Sequence, residues 1–207
     1  MTTPAKRFEV LDSLPAYGPM YIPVTDNGEP FYSEGFPVRF RKANGTEWVA
    51  NFSLGWTNFN AVFDFPLRDK TIVFAGGQGY IMSVESERPL NTFGLTINEV
   101  LQTESGSLIC ADGTSIMILD NEMGDLWQSE RISWDGMKDL KLRENVLSGL
   151  SYDPTDPKHE WVEFTLNILS KELTGGSYRL FLAENLTAPK VNLLGDDKSK
   201  PWWRIWS

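Results

Sequence analysis

The chain has 207 residues, 41% of them hydrophobic and 23% charged, with a formal net charge of −9; it is long enough to bury a core and has the balance of a soluble globular protein. The charge argues against a nucleic-acid partner, because phosphate-backbone binding needs concentrated Lys and Arg to release counterions. The single cysteine, Cys110, excludes an internal disulfide framework, and the lack of any apolar run long enough to span a bilayer leads us to expect a cytoplasmic protein with no membrane partner.

Residues 1–35 carry Pro4, Pro15, Pro19, Pro23 and Pro30 among short apolar pieces. Proline at this density removes backbone donors and fixes φ, which predicts an extended arm over the body. Residues 36–182 then read as one all-β domain of four hairpin units. The first joins Val38–Lys42 to Glu47–Phe52 through Asn44-Gly45, a type I′ turn signal. The second runs from Thr71 to Val84 around Gly76-Gly77-Gln78-Gly79, the third from Ser107 to Leu119 around Asp112-Gly113, and the fourth from Asn145 to Leu166 around Asp153-Pro154 and Asp156-Pro157. Their starts, Val38, Ile72, Leu108 and Leu147, lie 34, 36 and 39 residues apart. Such a period suggests a repeated antiparallel β-meander, propeller-like or partly closed, with a β-sandwich as the alternative. One short helix is expected over 96–103, where Ile97, Val100 and Leu101 recur at helical spacing. Residues 183–207 form a tail holding Trp202, Trp203 and Trp206, expected to fold back onto the body, since an exposed triple-Trp tail invites aggregation.

A set of strings in fixed order resembles a group of small bacterial proteins of this length. They are Tyr32-Ser33-Glu34-Gly35-Phe36, Trp48-Val49-Ala50-Asn51-Phe52, Ile132-Ser133-Trp134-Asp135-Gly136, Gly149-Leu150-Ser151-Tyr152-Asp153-Pro154 and Thr174-Gly175-Gly176-Ser177-Tyr178. The resemblance implies a bacterial or phage-related origin and a compact all-β body. The group has no assigned activity, so no functional residue is carried over from it.

The residues offer little for catalysis. His159, the only histidine, sits in a polar turn, and no Gly-x-Ser-x-Gly elbow accompanies it. The scarcity of His and Cys excludes the usual zinc sets. Gly76-Gly77-Gln78-Gly79 lacks the Lys-Ser or Lys-Thr of a phosphate loop, and Asp120, Glu122 and Asp125 lack the rest of a calcium loop, so neither a cofactor nor a metal is expected. Glu34, Asp64, Asp112, Asp135, Asp139 and Asp153 are candidates for a hydrolytic acid and base, but most adjoin Gly or Pro in turns, where Asp bonds its own backbone.

The aromatics remain. Trp134 and Asp135 stand in a polar turn, as do Trp56 and Asn58, and such residues can anchor a partner. These features suggest a non-enzymatic protein-binding module of the bacterial cytoplasm, with a basic protein as a fitting partner and toxin neutralisation of the immunity type as one concrete form. The alternative is a carbohydrate-active or other small-molecule hydrolase using paired carboxylates.

Overall fold

The structure, a computed structural model, describes residues 6–18, 20–120, 125–158 and 160–187. The chain forms four four-stranded sheets in sequence order, none of them closed. The first contains β1 (Phe8–Val10), β2 (Ile22–Val24), β3 (Phe36–Arg41) and β4 (Glu47–Phe52). The second contains β5 (Ala61–Phe65), β6 (Lys70–Ala75), β7 (Gln78–Met82) and β8 (Asn91–Phe93). The third contains β9 (Glu99–Gln102), β10 (Leu108–Ala111), β11 (Ile116–Leu119) and β12 (Leu126–Gln128). The fourth contains β13 (Met137–Arg143), β14 (Val146–Tyr152), β15 (Trp161–Asn167) and β16 (Leu173–Gly175), and helix α1 (Ser177–Thr187) follows it. Among the described residues no helix is long and apolar enough to cross a membrane.

Each of the four expected hairpins is the central pair of one sheet: β3–β4, β6–β7, β10–β11 and β14–β15. The last three sheets are simple antiparallel meanders. In the first, β1 pairs antiparallel with β3 while β2 pairs parallel with β4, so the proline-rich stretch supplies both edge strands.

The turns sort by glycine geometry. Gly76 and Gly77 both have positive φ (56° and 84°) and form the two-residue loop between the paired residues Ala75 and Gln78, which is the type I′ arrangement. The type I′ expectation at Asn44-Gly45 is corrected: only Gly45 is left-handed (φ 85°), within the three-residue loop Ala43 to Gly45. There Lys42 N–H donates to Thr46 O (2.8 Å), Gly45 N–H donates to Lys42 O (3.0 Å), and Asn44 Oδ1 accepts from Thr46 N–H (2.9 Å). This asparagine therefore serves by bonding ahead to the backbone, without entering the left-handed region.

Three apolar clusters join successive sheets. Val38, Phe40, Trp48 and Phe52 of the first sheet meet Val73, Ala75, Tyr80 and Met82 of the second. The opposite face of the second sheet, Ile72, Phe74 and Ile81, meets Leu108, Cys110, Met117 and Leu119 of the third. The third sheet's other face, Ile109, Ala111, Ile116 and Ile118, meets Leu147, Phe164 and Leu166 of the fourth. Successive side chains on a strand point to opposite faces, so a sheet covered on both sides needs an unbroken apolar run, as in Leu108-Ile109-Cys110-Ala111 and Ile116-Met117-Ile118-Leu119. Each Leu, Ile or Met side chain so buried contributes about 1.5–3 kcal/mol relative to exposure.

The same pairing overturns the helix expected over 96–103. Glu99 to Gln102 form β9, in register with Ala111 to Leu108 of β10, and the neighbours Val100 and Leu101 pack into different clusters on opposite faces. A period of two operates where a helical period was expected, because the edge of β10 offers backbone partners that a helix would leave unpaired.

Candidate functional site

The connector from β4 to β5 displays every second side chain. Leu54, Trp56, Asn58 and Asn60 are exposed, whereas Ser53, Gly55, Thr57 and Phe59 turn inward. Its backbone is fastened to the second sheet: Gly55 N–H donates to Ala75 O (2.9 Å), Thr57 N–H to Gly76 O (2.8 Å), and Gly77 N–H to Phe59 O (3.0 Å). It is fastened equally to the connector from the second to the third sheet, since Trp56 N–H donates to Leu95 O (2.9 Å) and Thr57 Oγ1 donates to Ile97 O (2.8 Å). Asn60 Oδ1 accepts from Gly76 N–H (2.7 Å). A Cβ on Gly55 would lie 2.4 Å from Leu95 O, so the chain can pass here only as glycine. On this fixed backbone Trp56 is 79% exposed and Leu54 50% exposed.

The connector between the third and fourth sheets is fastened in the same manner, with Ile132 N–H donating to Thr114 O (2.8 Å) and Gly136 N–H to Gly113 O (2.9 Å). Its tryptophan has a different fate. Trp134 packs edge-on against Tyr178 (ring centroids 4.8 Å) and Phe181 (4.9 Å) of α1. The Arg131 guanidinium lies over both the Trp134 and Tyr178 rings (5.6 and 4.9 Å) and donates to Ser133 O and Trp134 O. The Trp134 indole N–H is buried and has no hydrogen-bond partner among the described residues. Asp135 beside it is exposed. The four sequence candidates therefore divide into Trp56 with Asn58 on one connector and Trp134 with Asp135 on another. Sequence reasoning missed Leu54, which shares the outward face of Trp56, and missed the ring partners Tyr178 and Phe181.

A cleft of about 1050 Å³ lies between the third and fourth sheets, bordered by Ser105, Ser107, Asp120, Glu144 and Lys171 among others. Lys171, with φ 64°, donates to Ile168 O (2.6 Å) and sits over the Trp127 ring (5.0 Å); burial lowers its pKa, with Asp120 opposing the change. None of the six candidate carboxylates borders this cleft.

Most of those carboxylates have structural duties. Asp112 Oδ1 accepts from the N–H groups of Thr114 and Ser115 (2.9 and 2.7 Å) and from Thr114 Oγ1, while Oδ2 accepts from Ser115 Oγ. Asp153 accepts from Thr155 N–H and Oγ1, Glu34 from Leu14 N–H, and Asp64 from Arg7 and Thr71. Asp139, left-handed at the irregularity in β13, faces Glu99, whose carboxyl is raised above its ordinary range first by burial and then by the Asp139 charge. The Cys110 thiol is raised to about 12 by burial, which leaves it unreactive. Among the described residues no three His, Cys, Asp or Glu side chains stand together as a metal site, and both His159 and Glu122 of the imagined calcium loop fall outside them. Asp120 N–H closes that hairpin by donating to Asp125 O (2.9 Å). The Trp-rich tail over 188–207 also lies outside the described residues. No protein-family model matches the chain, and no curated protein matches it.

Proposed function

We propose that this protein is a binding module for another protein, built on a propeller-like succession of sheets, with Trp56, Leu54 and Asn58 as its contact edge. The observation that carries this reading is the combination of a backbone fixed by hydrogen bonds on both sides with a tryptophan that remains 79% exposed. A rigid, solvent-facing Trp loses little freedom on docking and removes a large apolar area from water, which is how interface anchors act. The net charge of −9 would steer a basic partner. Toxin neutralisation in a bacterial cytoplasm is one form that such binding could take. The alternative, a small-molecule hydrolase, draws its support from the cleft between the third and fourth sheets and from the Glu99–Asp139 pair, which are separate features.

The test uses the tagged protein as bait in parallel with Trp56→Ala and with Leu67→Ala, whose leucine is fully solvent-facing but lies elsewhere. A polypeptide retained by the parent and by Leu67→Ala, and bound about 30-fold more weakly by purified Trp56→Ala, is the expected result, since an anchor residue contributes about 2 kcal/mol or more. Equal retention by all three baits would refute the proposal.

A further inference from the structure

The two terminal sheets differ on their outer faces. On the first, Arg39 and Arg41 are paired with Glu9 (2.8 and 3.1 Å) and Arg41 also with Glu47 (2.8 Å). Buried Asn51 on that face accepts from Gly35 N–H and donates to Ser33 O. On the fourth sheet, Leu140 and Leu142 of β13 and Leu147 of β14 point into the core, so Lys138, Lys141 and Arg143 point outward. Beside this column stand Val146, 42% exposed, and half-buried Leu150; on β15, Trp161 is 36% exposed.

Among the described residues, none of Lys138, Lys141 and Arg143 has an ion pair, and the ammonium of Lys138 lies 3.9 Å from the Trp161 ring centroid instead. Glu163, paired in register with Leu150, is the carboxylate on the same face of β15. A basic column with apolar neighbours is the reverse of what this chain's 19 cations and 28 carboxylates would supply on average. Lys141 and Arg143 occupy alternate positions of one strand, roughly 7 Å apart, the repeat at which an extended chain presents every second side chain.

We infer that the outer face of the fourth sheet docks an extended acidic polypeptide segment. Its carboxylates meet Lys138, Lys141 and Arg143, and its intervening apolar side chains rest on Val146, Leu150 and Trp161. A nucleic-acid strand fits less well: the ammonium of Lys138 occupies a face of Trp161 on which a base would stack, and a cationic column this short releases few counterions. This surface is distinct from the Trp56 connector.

The test is fluorescence anisotropy at low salt with a labelled synthetic peptide, about eight residues long, alternating glutamate with valine and phenylalanine. Controls are the same peptide with lysine for glutamate and an oligothymidine of similar length. The protein variants are the combined Lys138→Glu, Lys141→Glu and Arg143→Glu, the milder Lys141→Gln with Arg143→Gln, and Trp56→Ala. The glutamate peptide is expected to bind the parent and Trp56→Ala alike, about ten-fold or more weakly to the triple variant, less to the glutamine variant, and more weakly as salt rises. Three results would overturn the inference. One is a flat titration or undiminished binding by the triple variant, which would leave the lysines as protection of a sheet edge. The second is tighter binding of oligothymidine. The third is a dimer in sedimentation that the triple variant dissociates, which would assign the face to a second copy of the chain.

Discussion

The two tryptophans Trp48 and Trp134 allow one chemical change to be made in opposite hydrogen-bond settings. The indole N–H of Trp48 donates to Val84 O at 2.9 Å inside the cluster between the first two sheets, whereas the indole N–H of Trp134 is buried with no acceptor among the described residues. Substitution by Phe removes similar apolar volume at both sites and keeps a ring against the aromatic neighbours, Phe40 for Trp48 and Tyr178 with Phe181 for Trp134. Trp48→Phe then strands the Val84 carbonyl, costing about 1–3 kcal/mol beyond the lost packing. Trp134→Phe removes an unsatisfied donor, so a penalty of the same order, about 1–3 kcal/mol, is relieved. The difference between the variants should reach about 2 kcal/mol or more, or about 4–8 °C in Tm for a chain of this size. Urea and thermal unfolding followed by far-ultraviolet circular dichroism measures it without relying on the altered chromophores. Equal destabilisation of the two variants, or a larger loss for Trp134→Phe, would refute the hydrogen-bond reasoning.

The glycines give a second contrast: Gly77→Ala would place its Cβ 2.5 Å from Thr57 Oγ1 and 2.6 Å from Ile97 O, while Gly45→Ala meets nothing within 4 Å. Both incur the left-handed penalty of about 1–2 kcal/mol, and only Gly77→Ala adds an overpacking cost of about 1–3 kcal/mol, measurable as a lower urea midpoint. Asp112→Ala should cost about 1–3 kcal/mol, because the N–H groups of Thr114 and Ser115 lose their acceptor; a melting temperature equal to the parent's would show that water replaces it. Cys110 should resist a thiol reagent in the folded protein at pH 8 and react at once in denaturant. The Cys110 thiol rises from 9.0 and the Tyr80 hydroxyl from 10.0, each to about 12, both chiefly through burial, so the folded state holds protons that the unfolded state releases. Their stabilisation is complete below pH 9 and falls between about pH 9 and 12, so the urea midpoint should decline across that window and recover on return to neutral pH.

The hairpins were legible because two signals coincided in each. Apolar runs such as Thr71-Ile72-Val73-Phe74-Ala75 mark strands covered on both faces, and Gly76-Gly77 or Asp112-Gly113 marks the reversal between them. The outer strands were harder: β9 has only four residues, and Val100 and Leu101 fit helical spacing as well as a strand whose faces meet different clusters. Helix α1 went unseen because its apolar residues do not form a single stripe; Tyr178 and Phe181 pack on Trp134 while Leu180 and Leu182 face solvent. Trp56 and Trp134 look alike as residues in polar turns. What separates them is cover: α1 arrives over one and the other stays open, a long-range event with no trace in the flanking residues.

That difference bears on what the β4–β5 connector is for. The fold needs Gly55, because Leu95 O leaves no room for a Cβ, and it needs Thr57, whose hydroxyl donates to Ile97 O and accepts from Phe59 N–H. It makes no such demand at position 56, where the backbone N–H bonds Leu95 O whatever the side chain and most of the indole meets water. A small polar residue would satisfy the same backbone at lower aggregation hazard. A bulky indole at the position of least structural need, next to an exposed leucine and on a backbone with little freedom to move, is the feature that the proposed docking contact at Trp56 would account for.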